Sequence, residues 1–139
     1  MLNKTYELAE INEVADEIIK ASEINLFAFE GDLGAGKTTL IKAMINAIGI
    51  ENQGSSPSFS LINVYENNEQ RVYHCDLYRL NTYEEALDIG FEDYLADEES
   101  WCFIEWPEVV EFLLPHPYHL IKLHVDENNK HSIKMIKVK

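Results

Sequence analysis

The hydrophobic pattern of this chain switches between two periods. Residues 10–21 place Ile11, Val14, Ala15, Ile18 and Ile19 at helical spacing, which predicts an amphipathic helix. Residues 25–31 (NLFAFEG) are almost wholly apolar and stop at a glycine, the profile of a strand buried on both faces. From Lys37 the helical period returns with Leu40, Ile41, Met44, Ile45 and Ile48, and Gly49 is placed to cap that helix. Residues 60–78 (SLINVYENNEQRVYHCDLY) alternate, break at a polar turn over 66–70 and resume, which predicts an antiparallel hairpin. Residues 82–97 read as helical and acidic, and 100–107 (SWCFIEWP) as a second buried strand stopped by Pro107. Residues 108–114 (EVVEFLL) read as a short helix before the turn PHPY, and 119–125 and 131–139 as two further strands. Together these elements predict an α/β fold with a mixed, parallel plus antiparallel, sheet flanked by helices.

Length and composition then bound the picture. The 139 residues, 46% hydrophobic and 26% charged, suit one globular domain spanning 1–139. No apolar run is as long as a membrane span, and the polar start of the chain does not resemble a signal peptide. Cys75 and Cys102 show no metal-ligand spacing and read as small core thiols in a reducing, cytoplasmic setting.

The net charge of −14 changes more. No Lys or Arg occurs between Leu80 and Ile121, where eleven acids fall, so the chain is poorly equipped to neutralise nucleic-acid phosphates by itself. Five of the eleven basic residues (Lys122, Lys130, Lys134, Lys137 and Lys139) crowd the tail. They read as solvated lysines on a terminal edge strand, where charge discourages edge-to-edge pairing. Contact with an acidic partner is the alternative.

The candidate chemistry lies between the first buried strand and the second helix. Gly31, Gly36, Lys37 and Thr38 satisfy G-x-x-x-x-G-K-[ST] without a mismatch. Glycines allow a tight turn whose N–H groups approach phosphate oxygens, and the following helix aims the positive end of its dipole at the same point. Lys37 would reach the β- and γ-phosphates, and the Thr38 hydroxyl would ligate magnesium.

A phosphate cradle does not fix the reaction. Glu105 follows four residues of strand-like sequence at a strand end, where it would hold the magnesium ion or orient the attacking water. Asp76 closes VYHCD and is the other acid in such a place; it either binds metal or water, or caps the next turn. The hydroxyl-rich residues 55–60 (SSPSFS) form a loop able to face a γ-phosphate as switch loops do. The guanine-reading Asn/Thr-Lys-x-Asp motif of GTPases is absent from the sequence, and two arginines, Arg71 and Arg79, are too few for a kinase lid. A small ATPase remains, with Lys37, Asp76 and Glu105 as candidate catalytic residues. A small-molecule kinase and a nucleotide-sensing module with incidental hydrolysis are the alternatives.

Taken in order, GDLGAGKTT (31–39), SPSF (56–59), HCDLYR (74–79) and IEWPE (104–108) resemble the TsaE (YjeE/YdiB) family of bacterial ATPases. The resemblance implies a compact P-loop fold that binds ATP and Mg2+. It implies hydrolysis in support of threonylcarbamoyl transfer to adenosine beside the tRNA anticodon. It also implies two protein partners, TsaB and TsaD, through which tRNA is mainly reached, and no membrane. Carried over by this resemblance, Gly31, Asp32, Leu33, Gly34, Ala35, Gly36, Lys37, Thr38 and Thr39 would be the nucleotide loop, Thr38 and Glu105 the magnesium ligands, Asp76 a residue important for activity, and Trp106 a residue that reports or shapes the site. Ser58 stands where the family commonly has Thr; the hydroxyl is kept.

Overall fold

The computed structural model describes residues 2–32, 34–51 and 61–139. Seven strands form one sheet: β1 (Leu2–Tyr6), β2 (Leu26–Glu30), β3 (Ile62–Glu66), β4 (Arg71–Asp76), β5 (Trp101–Glu105), β6 (Tyr118–Val125) and β7 (His131–Val138). Their spatial order is β1-β7-β6-β2-β5-β4-β3. The middle strands β6, β2, β5 and β4 run parallel, while β3 on one side and β7 and β1 on the other are antiparallel additions. This is the mixed α/β sheet that the pattern predicts.

The period-2 alternation of β2 divides the core in two. Phe27 and Phe29 face one side, where they meet Val14, Ala15 and Ile18 of α1 (Ile11–Ala21) and Leu40, Ile41, Met44 and Ile45 of α2 (Lys37–Ile48). Ala28 faces the other side, with Cys75, Cys102, Ile104, Ala86 of α3 (Tyr83–Asp88) and Phe91 of α4 (Phe91–Leu95). Both cysteines are buried free thiols, as their apolar neighbours lead one to expect.

The hairpin forms where expected. Asn67 Oδ1 accepts N–H bonds from Glu69 (2.8 Å) and Gln70 (2.7 Å), which closes the polar turn between β3 and β4. The acidic segment after it is two short helices, separated at Ile89–Gly90.

Two expectations are corrected. The last strand is not an edge: β7 lies between β6 and β1, and the edge is the N-terminal strand β1, which too few apolar residues announce. Two tail lysines are engaged with acids from elsewhere in the chain. Lys137 bonds Glu23 at 2.9 Å and Lys130 bonds Glu7 at 3.0 Å. The expected helix over 108–114 is two 3-10 turns, Pro107–Val109 and Glu111–Leu113. The stretch between Pro107 and Pro115 is too short to build an α-helix from propensity alone.

No helix among the described residues is long and apolar enough to cross a membrane. Ile45 is fully buried between α2 and the sheet. Ile45→Ala should lower the unfolding free energy by about 2–5 kcal/mol, read as a lower urea midpoint at an unchanged m-value.

Candidate nucleotide and metal site

The site is built where β2 ends. After Glu30 the chain turns back over the C-terminal ends of the parallel strands and enters α2 at Lys37. Gly31 is demanded by space: a Cβ there would lie 2.9 Å from the Leu123 carbonyl oxygen of β6 and 3.2 Å from the Ala35 Cβ. Gly36 is demanded by conformation, since it caps α2 with φ +94°, a left-handed backbone that side-chain-bearing residues rarely adopt. The Ala35 N–H bonds the Asp32 carbonyl at 2.9 Å, which closes the loop on itself.

Lys37 is buried (5% exposed). Its ammonium donates to the Gly31 carbonyl and, at 3.4 Å, to that of Asp32, and it stands 3.6 Å over the ring of Trp106. Burial holds its pKa below the ordinary lysine value, and the charges of Glu105, Glu108, Asp32 and Asp76 oppose that shift. Cation–π contact and carbonyl acceptors thus hold a cation whose hydration has been stripped away.

Glu105, the last residue of β5, is 3% exposed. The Thr38 hydroxyl, in the first turn of α2, donates toward its carboxylate, with Oγ1 at 3.1 Å from Oε1 and 3.0 Å from Oε2. Oε2 also lies 2.6 Å from His74 Nε2. Register explains the meeting. In the parallel pair β4–β5, Asp76 stands opposite Glu105 and His74 opposite Phe103, so His74, Asp76 and Glu105 share the face covered by α2.

Of the residues expected from sequence, Lys37, Thr38 and Glu105 converge on one place. Asp76 lies beside Glu105 in register, but its Oδ1 accepts the Tyr78 N–H at 3.2 Å, the turn-capping arrangement. Thr39 is exposed on α2, and Gly34 has φ +85°. Leu33 and the hydroxyl loop 55–60 lie outside the described residues. Arg71 is at the other end of β4 from Asp76, engaged with Glu66 at 2.7 Å and Asp97 at 3.8 Å.

Two features escape the sequence reading. His74 has no role there, although a polar residue two positions before Asp76 in a period-2 strand must share its face. Trp106 has a left-handed backbone, φ 58°, which no sequence pattern announces; its ring also packs on Tyr78 with centroids 4.9 Å apart.

The donor set suits a hard cation. Among the described residues no group of three or more His, Cys, Asp and Glu could hold a metal ion. Magnesium does not require one, because it commonly takes one or two protein oxygens and completes its shell with phosphate oxygens and water. The Thr38 hydroxyl and the Glu105 carboxylate are oxygen donors of that kind, beside a loop shaped for phosphate.

The family model "Threonylcarbamoyl adenosine biosynthesis protein TsaE" matches residues 5–134. The tRNA threonylcarbamoyladenosine biosynthesis protein TsaE of Rickettsia felis is 34% identical, over 98% of this chain and 78% of that protein. Its namesake in Bacillus subtilis is 36% identical, over 66% of this chain and 56% of that protein. The crystal structure of Bacillus subtilis YdiB superposes with a TM-score of 0.77 at 25% identity, covering 99% of this chain and 86% of that one.

Gly31→Ala should destabilise the fold by about 1–3 kcal/mol in urea unfolding, because the added methyl presses on the backbone of β6 and must move the loop. An unchanged midpoint would show that the loop has room to spare.

Proposed function

The chain belongs to the TsaE family, and from that membership and its site we propose that it is a magnesium-dependent ATPase serving tRNA threonylcarbamoyladenosine biosynthesis. The observation that carries the reading is the meeting of Thr38 and Glu105 at 3.0–3.1 Å beside the phosphate loop.

The roles of the residues follow from their surroundings. The backbone of Gly31 to Gly36 and the N-terminus of α2 receive the phosphates. Lys37 exchanges its carbonyl acceptors at Gly31 and Asp32 for phosphate oxygens, a short move for an ammonium already at the loop. Thr38 and Glu105 would hold the magnesium ion, which when bound would neutralise phosphate charge and polarise the transferred group. Such neutralisation is needed here. Lys37 is one cation in the field of Glu105, Glu108, Asp32 and Asp76, and a triphosphate brings further negative charge. Asp76 is half-buried beside Glu105 and has carboxylate lone pairs beyond the one that Tyr78 uses, so it can orient the attacking water. Water, not a held substrate, is the acceptor of the phosphoryl group.

The partners are TsaB and TsaD, with TsaD carrying the transferase site. An acidic chain of net charge −14 that leaves RNA contact to its partners fits that division of labour.

The test measures phosphate release from ATP by the purified chain with TsaB and TsaD, and repeated tRNA modification from threonylcarbamoyl-adenylate. Lys37→Ala and Glu105→Gln should each lower phosphate release by about 100-fold, and repeated modification should fall with it. Full phosphate release by Glu105→Gln would sink the proposal.

A further inference from the structure

Glu105 is held from two sides, and only one of them belongs to the phosphate loop. The Thr38 hydroxyl reaches it from α2, and His74 Nε2 reaches its Oε2 at 2.6 Å from β4. Both the imidazole and the carboxylate are buried, with side chains 5% and 4% exposed. A carboxylate ion only accepts hydrogen bonds, so Nε2 is the nitrogen that carries the hydrogen.

Packing does not account for a histidine here. Its neighbours on the same face of the sheet, Val72 and Phe103, are apolar and fully buried. The other ring nitrogen, Nδ1, is buried and has no hydrogen-bond partner among the described residues. An apolar side chain would fill the place without leaving a polar atom unpaired. The bond to Glu105 is what distinguishes histidine from such a residue. Without that bond, Glu105 would keep, among the described residues, only the Thr38 hydroxyl, a group also assigned above to the metal.

We infer that His74 is a positioning residue: its Nε2–H fixes the Glu105 carboxylate so that its oxygens stay turned toward Thr38 and the mouth of the phosphate loop. The inference rests on the reading that Glu105 serves a magnesium ion bound with the nucleotide. It is the arrangement in which a group behind a metal-binding carboxylate sets its orientation and basicity, and removal of such a group weakens metal binding by about 10–100-fold.

The test follows Mn2+ binding to the intact chain in the presence of ADP, by electron paramagnetic resonance, beside ADP binding measured in EDTA. His74→Phe should weaken Mn2+ binding about tenfold or more and leave metal-free ADP affinity within about twofold. His74→Gln, whose terminal amide N–H can take the place of Nε2–H, should restore most of the Mn2+ affinity. A purely structural histidine would disturb both affinities together and would not be rescued by glutamine. If His74→Phe does not fold, as judged by circular dichroism and urea unfolding, His74→Asn replaces it, because its shorter amide falls short of Glu105. Wild-type Mn2+ binding in the Phe or Asn variant overturns the inference. Glu105→Gln separates the two claims. Weakened Mn2+ binding there with wild-type binding in the His74 variants overturns this inference alone, whereas unchanged binding in Glu105→Gln overturns the metal reading and the inference with it.

Discussion

Parallel pairing of β2 with β5 sets Phe29 opposite Glu105, so the chain enters its phosphate loop at the level where β5 releases its carboxylate. Everything else at the site hangs on this register. A parallel pair exposes both C-terminal strand ends on the same edge of the sheet, and the crossover through α2 must then start there. The helix arrives with Lys37 and Thr38 in its first turn, directly over Glu105. A slip of one residue would turn Glu105 to the opposite face, among Ile104, Cys75 and Ala28. The aromatic packing of Phe27, Phe29 and Phe103 under α1 and α2 opposes such a slip, because these rings would lose their place in the core at the same time.

The electrostatics of the site follow from how little positive charge it contains. Lys37 is buried, and burial is the larger influence on its proton, outweighing the carboxylates around it. A lysine in that setting is held by geometry more than by ion pairing: two carbonyls of its own loop and the face of Trp106. These are acceptors that phosphate oxygens can replace without a large movement. In the proposed reading, the backbone N–H groups and the helix terminus would carry the preference for phosphate, with the lysine already at the loop.

Much of this was legible in the sequence because the relevant signals are local. The P-loop spelling, the apolar run before it and the helical period after it sit within one stretch of chain, and each structural demand maps on one residue type. Gly31 is spelled by a carbonyl of β6 that no sequence pattern reveals, yet the motif records the result. Glu105 was readable because a lone acid ends a buried strand. The misses are non-local. His74 matters only because β4 lies beside β5 in a particular register, and β7 is internal only because β1 returns to cover it. The 3-10 turns after Pro107 carry the same apolar residues as a helix would, and the hydrophobic pattern does not distinguish the two over so few residues.

Trp106 links the turn after β4 to the phosphate loop. Its left-handed backbone (φ 58°, ψ 60°) costs about 1–3 kcal/mol for a residue with a large side chain. Two contacts among the described residues offset it: the tilted packing against Tyr78, about 0.5–1.5 kcal/mol for an aromatic pair, and the Lys37 ammonium over its ring, about 0.5–2 kcal/mol. Buried Pro107 follows and fixes the direction in which the chain leaves β5. The magnitudes are of one size, so these two contacts can offset the strain. Tyr78 belongs to the turn capped by Asp76, and Lys37 to the phosphate loop. The chain leaving Glu105 thus packs between the two segments that carry the other candidate residues.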